Sequence, residues 1–314
     1  MNVFVFGGTG FIGSRVVTSL VRSGHTVSAL ARSQEKAGFL RKLGASPRLG
    51  DLAQPQTIPD AIKGAEVIVQ AAFPPFLGRS TTRRVRRDGE VGLIQMKNLL
   101  EAVVQVNKVP VILTEGTMLR GDSGDGWLDE TSPYRFDKGH GRLGEPSIPY
   151  VLKMERQHNL PLVRIMITGA YGPGSWFKES VYDYVKKGWF RIFGDGKNIW
   201  SLVHVDDVAE AYRLAVEKLP IGQSFVVADD EPCTMLDFAN LVAREMGKPP
   251  VKFFPKWVGG IMLGNVLLEA LTMNQRARNT KAKKELGWKP KYPTYKEGIP
   301  AVIRELEGRP PLGR

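Results

Sequence analysis

A short apolar run, Val3-Phe4-Val5-Phe6, leads directly into Gly7-Gly8-Thr9-Gly10-Phe11-Ile12-Gly13. β-branched and aromatic residues in so brief a run predict a buried strand. The residues behind it place apolar side chains at Phe11, Ile12, Val16, Val17, Leu20 and Val21 and stop at Gly24, which is the spacing of an amphipathic helix. A strand, a glycine-rich turn and a helix in that order constrain this chain more than any other stretch. The first N–H groups of the helix and the positive end of its dipole can bind an anion, and glycines let it approach the backbone. A dinucleotide pyrophosphate meets that description. Gly7 then makes the tight turn, Gly10 the close phosphate approach and Gly13 the close packing of helix on strand, with Thr9, Phe11 and Ile12 completing the expected site.

The first half of the chain repeats the pattern. Strands are predicted at Thr26–Ala31, 67–72, 109–113 and Leu162–Ile167, with helical periodicity between them, for example at 35–43 and 92–106. Such alternation predicts right-handed βαβ crossovers and a Rossmann-type, doubly wound parallel sheet of the α/β class. After Tyr171-Gly172-Pro173-Gly174 the rhythm changes to helices broken by Gly and Pro, with one further strand at 224–228. The expected division is a dinucleotide-binding domain over 1–170, to which part of 198–230 returns, and a smaller, mostly helical substrate lobe over 171–314.

The end of the second strand bears on which dinucleotide. NAD-selective folds place Asp or Glu there for the ribose 2′-hydroxyl. Here the strand ends in Arg32-Ser33, with Lys36 just beyond. A guanidinium with a neighbouring hydroxyl suits a 2′-phosphate, which a carboxylate would repel. NADP(H) is therefore favoured over NAD(H).

The net charge of +12 on 314 residues admits an anionic cofactor, an acidic substrate or nucleic acid. Its densest cluster, Arg83-Arg84-Val85-Arg86-Arg87, reads as a solvated surface loop between the fourth strand and the next helix. One cysteine, Cys233, excludes a disulfide framework within the chain and fits a reducing compartment. The apolar stretch 258–268 holds three glycines and Asn265 and is too short to span a bilayer. A soluble, cytoplasmic protein without a membrane span is expected. The four histidines, His25, His140, His158 and His204, form no cluster, so no metal is expected.

Several motifs in order carry a family resemblance: the opening glycine turn, Gly50-Asp51-Leu52, Ala71-Ala72, Tyr171-Gly172-Pro173-Gly174, Trp200-Ser201-Leu202-Val203-His204-Val205-Asp206-Asp207-Val208-Ala209 and Ala282-Lys283-Lys284-Glu285-Leu286-Gly287-Trp288-Lys289-Pro290. The chain resembles the extended short-chain dehydrogenase/reductase superfamily, also called the NAD-dependent epimerase/dehydratase family. The resemblance implies that Asp51 and Leu52 flank adenine and that Ala71 and Ala72 line the path of ribose and pyrophosphate. It also implies that the segment around His204 positions the chain between the two lobes.

The family's chemistry normally rests on a Ser or Thr after strand five and a Tyr-x-x-x-Lys pair on the next helix. Aligning Arg120-Gly121 with the family's Tyr-Gly puts Gly116 at the hydroxyl position, with Thr117 one residue late. Thr117-Met118 then stand where sugar 4,6-dehydratases carry an acidic pair, which disfavours that subclass. Tyr150 and Lys153 are one residue too close together. Counting back from Leu160-Pro161 puts His140 at the tyrosine position and Gly144 at the lysine position. Gly144, Pro146 and Pro149 interrupt a helix here, so its first turns are expected to be rebuilt. Glu115, Thr117, His140 and Tyr150 are the candidate acid–base residues of an atypical site.

The sequence thus predicts an NADP(H)-binding oxidoreductase or epimerase-like enzyme acting on a small organic substrate. A non-catalytic NADP(H)-sensing protein is the alternative, and an RNA-binding member of the fold the weaker one, since no RNP-like aromatic segment is present. A homodimer is compatible with the chain. The apolar segment Phe253-Phe254-Pro255-Lys256-Trp257 through Leu268 reads mainly as helix packing against the core. Any part of it facing the cleft implies a substrate with an apolar body, with Trp176, Trp189 and Trp200 as added stacking surface.

Overall fold

A computed structural model describes residues 1–73, 79–106 and 108–310. Seven parallel strands form the central sheet: β1 (Asn2–Phe6), β2 (Thr26–Ala31), β3 (Ser46–Leu49), β4 (Val67–Gln70), β5 (Val111–Gly116), β6 (Leu162–Ile167) and a last strand, Ser224–Val227. Their spatial order is Ser224–Val227, β6, β5, β4, β1, β2, β3. Strand alternation divides the core. Val3, Val5, Val27, Ala29, Val67 and Val69 face one side, where α1 (Phe11–Arg22) packs with the helix Val205–Lys218. Phe4, Phe6, Ile68 and Leu113 face the other, against α4 (Thr82–Gln105) and α5 (Ser147–His158). Both faces being covered explains why β1 and β4 are apolar without a polar alternate.

β3 escapes periodicity because it is a short edge strand, mostly exposed and containing Pro47. Between β2 and β3 lies α2 (Gln34–Lys42), and before β4 lies α3 (Ile58–Ile62). The arginine cluster is not a loop. Arg83–Arg87 fill the first turns of the 24-residue α4, capped by the Thr81 hydroxyl, with Arg84–Asp88 and Arg86–Glu90 paired one turn apart. Arginine is a good helix former and these pairs sit at i,i+4, so charge density misled the loop reading.

Between β5 and β6 the chain makes a 3₁₀ helix at Gly139–Gly144 before α5 begins at Ser147. Pro149 falls in the first turn of α5, where its missing N–H has no intrahelical partner to lose.

The remaining chain builds a second cluster from Phe177 and Tyr182 on the helical turn Phe177–Tyr182, Phe238 and Val242 on the helix Met235–Glu245, and Ile299 and Val302 on the helix Tyr295–Leu306. Within 205–227 the helix Val205–Lys218 packs on the central sheet and Ser224–Val227 joins it, and Leu286 and Trp288 are buried in the core on that same face. The segment Phe253 to Met262 departs from the expected packing. Its two-turn helix Lys256–Leu263 buries Gly259 against Phe193 and Leu268, which leaves Phe253, Phe254, Trp257, Ile261 and Met262 at the surface. Among the described residues no helix is long and apolar enough to cross a membrane, and no group of three or more His, Cys, Asp or Glu is placed to hold a metal ion.

Candidate cofactor and substrate site

The glycine turn sits at the carboxyl edge of the sheet. Gly7 has φ +79°, and a Cβ there would overlap the backbone of Ala71 and Ala72. A Cβ on Gly13 would overlap the Gly7 carbonyl oxygen. Turn and helix are thus packed too closely for any side chain at either position. Gly10 caps α1 in an extended conformation without a side-chain cap, so the first-turn N–H groups remain available to an anion. Ala71 N–H donates to Phe6 O at 3.0 Å, and Gln70 Nε2 donates to Ala72 O at 2.8 Å, fixing the turn after β4. A depression of about 370 Å³ opens beside the turn. Thr9, Gly10 and Phe11 belong to it, but Ser14, Arg15, Thr18 and Phe39 carry it along the outer face of α1 and away from the sheet edge.

At the end of β2, Arg32 is exposed, and Ser33 Oγ accepts from Lys36 N at 3.2 Å to cap α2. No carboxylate stands between Thr26 and Gln34. Asp51 Oδ1 accepts from Ala53 N at 2.9 Å. Leu52 is buried, its carbonyl held by Asn98 Nδ2 at 2.8 Å. Asn98, on α4, ties the predicted adenine segment to the helix that follows β4.

Glu115 lies near the end of β5 and points to the α5 side of the sheet. Arg120 Nη2 reaches its Oε2 at 3.2 Å, Arg164 Nε lies 3.2 Å from its Oε1, and the Tyr134 hydroxyl donates to the carboxylate at 2.9 Å. Arg164 also pairs with Glu155 of α5. The Arg120 guanidinium stacks 3.5 Å from the centre of the Tyr134 ring. Burial, with the Glu115 charge, pushes the Tyr134 phenol up to about 12. This buried network was missed at the sequence level. Its signal was Arg164 within an otherwise apolar strand, a charge that requires a buried partner.

Thr117 is buried on the turn after β5 and donates to Gln275 Oε1 at 3.0 Å, and Gln275 in turn donates to the Gly121 carbonyl. His140 is buried on the 3₁₀ segment. Its Nε2 lies 3.3 Å from Ser80 Oγ, on the chain between β4 and α4. The next residue, Gly141, sits against the Met118 carbonyl after β5. His140 therefore spans the exits of β4 and β5, the edge at which doubly wound sheets bind ligands. Burial, with the nearby Arg84 charge, lowers its pKa to about 4.

Above this edge, Ser80 N donates to Leu263 O at 2.8 Å, and Gly139 N donates to Glu269 Oε2 at 2.9 Å. The helices Lys256–Leu263 and Asn265–Thr272 thus form one wall of the region. Ser80 is a site neighbour that no motif announced.

Thr117 and His140 share this edge with the glycine turn. Tyr150 does not. Its hydroxyl donates to Glu101 at 3.2 Å, about one turn from the carboxyl end of α4 and so toward the opposite edge of the sheet. His204 is buried, accepts from Asp206 N at 3.2 Å as a helix cap, and stacks edge-on against Tyr171.

Comparison with known proteins bears on the family and the fold. The sequence model of the NAD dependent epimerase/dehydratase family matches residues 3–228. A 3-diazoavenalumate denitrifying reductase from a Streptomyces species is 27% identical over 95% of this chain and 99% of its own length. A 4-hydroxy-2-methyl-3-oxo-4-farnesyl-3,4-dihydroquinoline-1-oxide ketoreductase from Stigmatella aurantiaca is 26% identical, covering 96% of each chain. In fold, the structure resembles a UDP-glucose 4-epimerase from Thermotoga maritima, with a TM-score of 0.81 at 22% identity, over 98% of this chain and 99% of the epimerase.

Proposed function

The chain belongs to the NAD dependent epimerase/dehydratase family, and from that membership we propose that it is an NADP(H)-dependent reductase of a small organic substrate with an apolar body. Its relatives support an NAD(P)-dependent oxidoreductase, and two that match nearly the whole chain are named as a 3-diazoavenalumate denitrifying reductase and a ketoreductase of a farnesyl-bearing dihydroquinoline oxide. Arg32 carries the choice of NADP(H). It ends β2 where a carboxylate would select the 2′-hydroxyl, and Ser33 and Lys36 lie beside it.

The residues present fit such a cofactor. The start of α1 has no side-chain cap, and Gly7 and Gly13 let the turn pack tightly against the strand exit and the helix, which leaves the first-turn amides open to an anion. In this reading the α1 amides hold the pyrophosphate, Asp51 and Leu52 border adenine, Ala71 and Ala72 leave room for ribose, and Arg32 with Ser33 takes the 2′-phosphate. Bound there, the nicotinamide supplies or accepts a hydride. The protein's part is to orient the substrate. With its pKa near 4, His140 is neutral at pH 7. A neutral imidazole suits hydrogen bonding to a substrate carbonyl, as a polarising group, better than carrying a proton. The proton reaching the substrate oxygen then comes from solvent, and Thr117 and Ser80 position the groups around it.

Titration by nicotinamide fluorescence tests the cofactor assignment. NADPH should bind at least about tenfold tighter than NADH, and Arg32→Glu should reverse that order. Tighter NADH binding by the unaltered chain overturns it. Prenylated and aromatic ketones should then consume bound NADPH. Firm NADPH binding with no turnover of any ketone would favour the sensing alternative.

A further inference from the structure

We propose that the segments 184–194 and 246–268 together form a docking surface for an anionic lipid bilayer. Parallel pairing of Arg191–Phe193 with Lys252–Phe254 brings them side by side, and the Phe193 and Phe254 rings meet at 6.1 Å. Their outward face is unusually apolar. Trp257 is 69% exposed, Trp189 66% and Ile261 65%, and Met262, Phe253 and Phe254 are exposed as well. Trp257 and Ile261 stand one turn apart on the helix Lys256–Leu263, so they form a ridge instead of a scatter. Exposed apolar patches of this kind on a folded chain mark an interaction site.

Charge identifies the partner. The two segments carry Lys186, Lys187, Arg191, Lys248, Lys252 and Lys256, and no carboxylate lies between Asp183 and Asp195 or between Glu245 and Glu269. Lys187 Nζ lies 5.6 Å from the Trp189 ring centre, and the Arg191 guanidinium lies 5.8 Å from that of Phe254, so cations rim the aromatics directly. Tryptophan and phenylalanine flanked by lysine and arginine are the composition that settles at the headgroup level of an anionic leaflet. A second copy of the chain is a poor occupant, because a two-fold contact would set six cations against the same six. Single-stranded nucleic acid would use the rings for stacking but gains nothing from Ile261 and Met262, which are aliphatic and suited to acyl chains. With no helix able to span a bilayer among the described residues, the contact is one that lies on the surface. The helix Asn265–Thr272 continues from this ridge to Gly139 and Glu269, so the bilayer face borders the wall of the candidate substrate site.

Sedimentation of the full chain with lipid vesicles tests the proposal. The protein should pellet with vesicles of mixed phosphatidylcholine and phosphatidylglycerol and stay in solution with pure phosphatidylcholine. High salt should weaken that binding. Trp257→Ser with Ile261→Ser should lower partitioning about tenfold or more. Lys252→Glu with Lys256→Glu should remove the salt-sensitive part. All variants should keep NADPH binding, which reports that they fold. The proposal is overturned by absent pelleting with anionic vesicles, or by partitioning that the substitutions leave unchanged. It is equally overturned if these substitutions abolish self-association or RNA retention while vesicle binding is absent.

Discussion

Asp229 is 2% exposed, and neither carboxylate oxygen has a well-formed hydrogen bond, although the amides of Glu231 and Tyr295 approach it. Burial, with the adjacent Asp230 charge, pushes its pKa up to about 8. The unfolded chain releases this proton near pH 4 while the folded chain keeps it to about pH 8. Folding stability therefore falls as pH rises between those values, and the loss is complete above pH 8. Asp229→Asn removes the titration. By urea denaturation the variant should exceed the unaltered chain by roughly 2–4 kcal/mol at pH 8, with the difference gone at pH 4. Equal stabilities at pH 8 would mean that the carboxylate is satisfied there. His140 and His204 act in the opposite sense. Their pKa values, lowered to about 4 mainly by burial, cost stability as pH falls below about 6.5.

At the scale of elements, β5, β6 and α5 are joined by Glu115, Arg120, Arg164 and Glu155 as well as by the apolar contacts of Val111, Leu113, Leu162, Val151 and Met154. Glu115→Gln would leave two buried guanidiniums with too little negative charge, at a cost of about 3–5 kcal/mol. The urea midpoint should fall accordingly while NADPH affinity holds. Unchanged stability with lost turnover would instead place Glu115 in the chemistry. The same elements show where sequence reading works. The apolar runs of β1, β2, β4 and β6 were legible, because a strand covered on both faces has a simple composition. β3 was not, since an exposed edge strand has no apolar signature. The first ten residues of α4 were hidden by arginines whose partners, Asp88 and Glu90, become visible only once a helix is assumed. The 3₁₀ segment Gly139–Gly144 was foreshadowed by its glycines and prolines, but the approach of His140 to Ser80 joins residues 60 apart and had no local signal.

For the whole molecule, a cofactor that binds only the folded chain adds to its stability by mass action. NADPH at a hundredfold excess over its dissociation constant should add about 2.7 kcal/mol, a rise on the order of 5 °C in Tm. NADH at the same concentration should add less, and equal shifts in differential scanning fluorimetry would remove the case for NADP(H) selectivity. The parallel sheet and the position of its glycine turn were readable from alternation. The sheet partner of β6 was harder to read, since Ser224–Val227 arrives only after a long excursion through the second cluster.

That late pairing matters while the chain is being made. When β6 leaves the ribosome its outer edge has no neighbour, and 60 residues from Thr168 to Val227 must follow before one exists. At synthesis rates of about 5–20 residues per second, the edge stays open for roughly 3–12 s, long enough for another strand or a chaperone to find it. Trp288, which completes the first core, emerges later still. The half that carries the glycine turn is thus translated before the strand that completes its sheet, and it is among the last parts to be finished.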